Sequence, residues 1–286
     1  KMAYLKQFIQ RFASNVSKSG EASRRKKMIE KMELEDIPVT SRKFPYVGFQ
    51  PEREIGNFVL TAEKLNSKDD DGNVLLNDFS ITIHPGEKVA FVGMEHNSIT
   101  SFFDIVSETK KPDSGTYSWG QTTSHSYMGR DNSAYFNNEL TITDWLKQYS
   151  PDQDDAYVRG FLGRMLFSGD DGLKKVKVLS GGEKVRCMLS KMMLSGANVL
   201  ILDDPTNHLD LESIESLNEG LVKFPGVVMF SSHDHEFIST IANRIIEITP
   251  KGIIDRMMNF DDYLKDDQVK QLRKEYYAGL NKKIRI

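Results

Sequence analysis

The stretch NVLILDDPTNHLD (198–210) narrows the possible folds more than any other. Four apolar residues, Val199 to Leu202, read as a buried strand that runs directly into Asp203 and Asp204. Open α/β sheets bind ligands at the carboxyl ends of their strands. Two adjacent carboxylates there are costly unless they meet a metal, a water or a cation. GVVMFSS and RIIEIT read as further strands, alternating with helical segments near 211–223 and 235–242. That alternation predicts an α/β domain with a largely parallel sheet.

Three other stretches carry the chemistry. VAFVGMEHNSITSFF (89–103) is a strand, Val89 to Val92, entering Gly93, with a helix expected from Thr100. This is the layout of a phosphate loop, G-x-x-x-x-G-K-[ST]. Ser98, however, stands at its second glycine and Ile99 at its lysine. VLSGGEKVRCMLSKMML (178–194) sets Ser180, Gly181 and Gly182 before an amphipathic helix. Small residues there leave backbone N–H groups open to an anion, although a plain helix start has the same letters. FSSHDHEF (230–237) ends another strand with His233 close behind it.

NFVLTAEKL (57–65) and LLNDFSITI (75–83) read as strands joined through DDDGN, and 132–195 reads as mainly helical. The single cysteine, Cys187, reads as buried filler and fits a reducing, cytoplasmic setting. Apolar runs such as VLIL are strand-sized, which predicts no membrane insertion. Net charge is −3, but residues 1–31 hold nine basic side chains against two acids, leaving the remainder at −10. A basic arm on an acidic body predicts a polyanionic partner, against the plainer reading of a solvated helix face. In the arm Leu5, Phe8, Ile9, Phe12 and Val16 recur at helical spacing, a polar break follows at 14–23, and Met28, Ile29 and Met32 resume it.

Taken in order, these motifs resemble an ATP-binding cassette. Gly93 to Ser101 falls at its Walker A position, Leu179 to Lys184 at the signature and Leu200 to Asp204 at Walker B. Asn207, His208, Leu209 and Asp210 fall at the D-loop, and His233 at the switch histidine. TNHLD with the following SHD resembles the ABC-F branch, in which one soluble chain carries two cassettes joined by a basic helical hairpin and acts on the ribosome. The resemblance implies a P-loop NTPase-like α/β cassette with an antiparallel β subdomain and a helical signature subdomain. It divides the chain into the helical basic arm (1–36), an extended linker (37–56), the cassette (57–260, helical about 132–195) and a tail (261–286).

Roles follow position by position. Gly93, Ser98, Ile99, Thr100 and Ser101 would meet nucleotide, Thr100 and Asp203 would hold Mg²⁺, and Asp204 with His233 would serve hydrolysis. Leu179, Ser180, Gly181, Gly182 and Glu183 would cap ATP held by the upstream cassette of the same full-length chain. Arg11, Lys18, Arg24, Arg25, Lys26 and Lys27 would contact ribosomal RNA or tRNA.

Several positions depart from the family. Besides the missing lysine, His96 and Ser98 replace glycines, Arg130 replaces the Q-loop glutamine, no aromatic stands near Lys68 to Asp70 to stack adenine, and Asp204 replaces the catalytic glutamate. Losing one charge-assisted bond to phosphate weakens binding about ten- to a hundredfold. The expectation is therefore an ATPase only as the full two-cassette protein, with weak or no ATP and Mg²⁺ binding at this cassette's own site. Two alternatives stay open, the ATP-binding subunit of a membrane transporter and a non-hydrolysing scaffold half, and the isolated chain is a candidate for homodimer formation.

Overall fold

A computed structural model describes residues 44–278. The chain divides into two units, 1–42 and 43–286, and the basic arm with Arg11, Lys18, Arg24, Arg25, Lys26 and Lys27 lies outside the described residues. The extended segment from Phe44 leads to β1 (Leu60–Lys68), β2 (Val74–Ile83), β3 (Lys88–Val92) and α1 (His96–Val106). Next come β4 (Ser114–Trp119), β5 (His125–Met128), α2 (Ile142–Lys147), α3 (Asp155–Arg164) and α4 (Gly181–Leu194). The chain continues through β6 (Val199–Asp203), α5 (Leu211–Lys223), β7 (Val227–Ser231), α6 (His235–Ile241) and β8 (Arg244–Thr249). It closes with β9 (Gly252–Arg256), α7 (Phe260–Lys265) and α8 (Asp267–Tyr276).

Two sheets result. β2-β1-β4 is antiparallel, and the larger sheet runs β5-β6-β7-β3-β8-β9, parallel except for β9 against β8. Alternation along each central strand separates two cores. Val89 and Phe91 of β3, Val199 and Ile201 of β6, and Val227 and Met229 of β7 pack with β1, β2 and α1. Ala90 and Val92, Leu200 and Leu202, and Val228 and Phe230 pack instead with the helices. A parallel sheet needs both faces covered, which is why these strands read as unbroken apolar runs.

Parallel order brings the carboxyl ends of β3, β7 and β6 side by side, with Asp203 registered to Ser231. Segment 133–194 supplies the helical elements that carry the SGG stretch. α1 starts at His96, four residues earlier than the helix expected from Thr100. Ser98 N–H already bonds Glu95 O at 3.1 Å, closing the first turn where the phosphate-loop pattern has an open loop. Residues bearing a Cβ at 96 and 98 favour the helical well over the conformations that glycine would allow.

Candidate nucleotide and signature sites

Gly93 leaves β3 where the backbone passes close to β8: a Cβ there would lie 2.5 Å from Ile248 O. Beyond it, the early start of α1 fixes the facing of each side chain. Ile99, Phe102, Phe103 and Val106 form one buried stripe at helical spacing, and Ile99 is only 2% exposed. Ile99 thus faces the core, not the loop. Ser98 and Ser101 are also buried, and the Ser101 hydroxyl pairs with Ser67 Oγ at 2.7 Å. Of the five expected nucleotide contacts, Thr100 alone reaches the Walker B carboxylate.

Asp203 is buried at the end of β6 with both oxygens engaged. Thr100 Oγ1 donates to Oδ2 at 2.6 Å, Ser231 Oγ donates to Oδ1 at 2.7 Å, and His96 Nε2 lies 2.7 Å from Oδ1. Burial pushes this carboxyl up, but the hydrogen bonds from His96, Thr100 and Ser231 outweigh it and hold it below its ordinary value. A depressed folded pKa contributes stability that is complete above 3.8 and is lost as pH falls through the folded value. The melting temperature of the protein minus that of Asp203→Asn is therefore expected to be level above that pH and to shrink with acidification. A gap that widens in acid contradicts these bonds.

His96 is the participant that sequence reasoning missed, because its residue type registered only as a lost glycine. Its ring lies 5.4 Å from that of the exposed His233, so the switch position does reach the same corner. Asp204 is buried at φ +52° and donates its N–H to Ser231 Oγ at 2.9 Å. Arg130 is exposed. Among the described residues no group of three His, Cys, Asp or Glu side chains is placed to hold a metal ion.

The signature stretch is assembled differently. Ser180 caps α4 through a reciprocal box: its hydroxyl accepts from Glu183 N–H, and Glu183 Oε2 accepts from Ser180 N–H at 2.9 Å. The Ser180 hydroxyl lies 2.8 Å from the same Oε2. The Ser180 backbone bond holds the Glu183 carboxyl below its usual range. Ser180 and Gly181 are exposed, Gly182 and Glu183 are half-buried, and Leu179 is buried as an anchor. The D-loop packs against this turn. A Cβ on Gly181 would sit 3.1 Å from His208 Cγ, and one on Gly182 2.8 Å from His208 O. His208 itself has φ +70°, and Asp210 caps α5 by accepting from Ser213 N–H at 2.8 Å. Gly182 is thus already required within this chain, apart from any ligand, while Gly181 stands in tight contact with the His208 ring.

A parallel sheet whose strand ends gather a phosphate-loop position, a Walker B carboxylate and a switch histidine, with a helical segment bearing SGG, defines an ATP-binding cassette. Residues 76–207 match the family model described as ABC transporter, and the chain carries an ATP-binding cassette of this kind. It is 55% identical over 276 residues to the Bacillus subtilis (strain 168) "Uncharacterized ABC transporter ATP-binding protein YkpA", covering 96% of this chain and 51% of that protein. It is 30% identical to the Arabidopsis thaliana "ABC transporter F family member 2", over 91% of this chain and 38% of the relative. The Escherichia coli (strain K12) "Energy-dependent translational throttle protein EttA" is 31% identical, over 74% and 39%. The chain spans about half the length, or less, of these curated relatives. In fold it matches a dimeric ATP-binding cassette in a post-hydrolysis state bound to ADP and Pi, with TM-score 0.58 and 14% identity, over 70% of this chain and 99% of the other. No helix among the described residues is long and apolar enough to cross a membrane.

Proposed function

We propose that this chain is the second cassette of an ABC-F-type protein acting in translation, and that it lends its signature to an upstream cassette instead of firing its own site. One observation carries the reading. The groups that would receive Mg²⁺ and phosphate are bonded to one another, Asp203 to His96, Thr100 and Ser231, while Ile99 lies in the core. The residues present do not fit a metal-bound triphosphate in this arrangement, so no hydrolytic step is assigned to Asp203, Asp204 or His233. The exposed Ser180 and Gly181, by contrast, sit at a helix N-terminus, where hydrogen-bond donors and the helix dipole favour an anion supplied from outside.

The ABC-F and translation parts rest on TNHLD, on the basic arm, and on relatives named for the F family and for a translational throttle. Contact of the arm with ribosomal RNA or tRNA, pairing with an upstream cassette and a cytoplasmic setting belong to this proposal. The test compares ATP turnover by the whole protein and by this chain alone, with and without ribosomes. Turnover is expected from the whole protein, raised by ribosomes, and none from the chain. Turnover by the chain alone contradicts the reading of its own site, and indifference to ribosomes contradicts the translational one.

A further inference from the structure

Glu247 is a buried carboxylate that none of the roles above uses. It lies on β8 beside Val92, the residue before Gly93. Burying such a charge is costly unless partners surround it. Among the described residues, every partner comes from the segment that follows the sheets. Tyr263 Oη of α7 donates to Oε2 at 2.5 Å, and Tyr277 Oη, just past α8, donates to Oε1 at 2.8 Å. Arg273 Nε of α8 lies 3.2 Å from Oε2 as a charge contact without hydrogen-bond alignment. Tyr277 also shares with Met94, Glu95 and Ser98 the wall of a cavity of about 560 Å³.

We infer that α7, α8 and Tyr277 form a lock on the Gly93–Glu95 loop, with Glu247 as its buried anchor and Tyr277 as the residue that joins anchor to loop. Burial and the Glu247 charge push both tyrosine hydroxyls up, so they stay protonated and donate. If the tail departed, a charge would be left unpaired directly under the loop. Tail docking and loop conformation are therefore one equilibrium, whatever the loop binds. Tyr277 is a positioning residue in this device.

Residue-resolved amide hydrogen exchange on the chain and its Tyr277→Phe and Tyr263→Phe variants tests the lock. Each variant removes one hydroxyl from Glu247, but of the two only Tyr277 shares the cavity wall with the loop. Tyr277→Phe is expected to speed exchange at Met94 to Asn97 about ten- to a hundredfold, the effect of one lost hydrogen bond to a charged group. Amides of β6 and α4 should be unchanged, and Tyr263→Phe should act mainly on α7. Unchanged loop exchange in Tyr277→Phe, or an equal rise throughout the domain, overturns the inference.

Discussion

Ile99→Lys, which restores the lysine of the phosphate-loop pattern, is expected to destabilise the domain and to create no nucleotide site. The side chain at 99 shares its stripe with Phe102, Phe103 and Val106 and packs in the core that also holds Phe91. An ammonium placed there would be a buried, uncompensated charge, which costs about 3–5 kcal/mol. That is a large share of the roughly 5–15 kcal/mol that holds an ordinary domain folded. The helix start explains why a change that looks like repair does harm. Successive residues on a helix turn by about 100°. Because α1 begins at His96, position 99 is set inward before the chain passes the site. Urea unfolding should show a clearly lower midpoint for the variant. An unchanged midpoint together with newly gained micromolar ATP binding would refute this placement.

Ser180→Ala, made in the whole protein, is the second large effect. In the proposed pairing the hydroxyl of Ser180 turns from Glu183 toward phosphate held by the other cassette. Removing one donor from developing negative charge costs about a hundredfold in turnover. Locally, the loss of the cap costs only about 1 kcal/mol, so the protein should remain folded. Asp203→Asn in the same protein separates the two sites: turnover should stay near the parent value, since in the proposed pairing the Asp203 corner is not the one that fires. If Asp203→Asn abolishes turnover and Ser180→Ala spares it, the roles of the two sites are reversed.

The parts of this site that were legible in the sequence are those made by neighbours along the chain. Val199 to Leu202 running into Asp203, Ser180, Gly181 and Gly182 set before an amphipathic helix, and His233 behind a strand all depend on local pattern, and each element lies where the pattern put it. Contacts across the fold were not legible. His96 meets Asp203 across 107 positions, and comparison with a glycine pattern records what is missing without showing what the new side chain touches. Ile99 gives the sharper lesson. Its helical stripe was present in ITSFFDIV, but the expectation of a loop masked a 3.6-residue period that began earlier. β4, β5 and β9 escaped notice for another reason. They are short and partly polar, and they become strands by pairing with β1, β6 and β8. Glu247 looked like an ordinary residue of RIIEIT until the tail supplied its tyrosines.

The central claim is that the Asp203 corner is closed by its own side chains. Calorimetric titration of this chain with Mg-ATP tests it most directly. No saturable heat is expected up to about millimolar nucleotide, where a residual interaction of roughly 4 kcal/mol would just begin to show. Saturable micromolar binding that disappears in Asp203→Asn would contradict the claim.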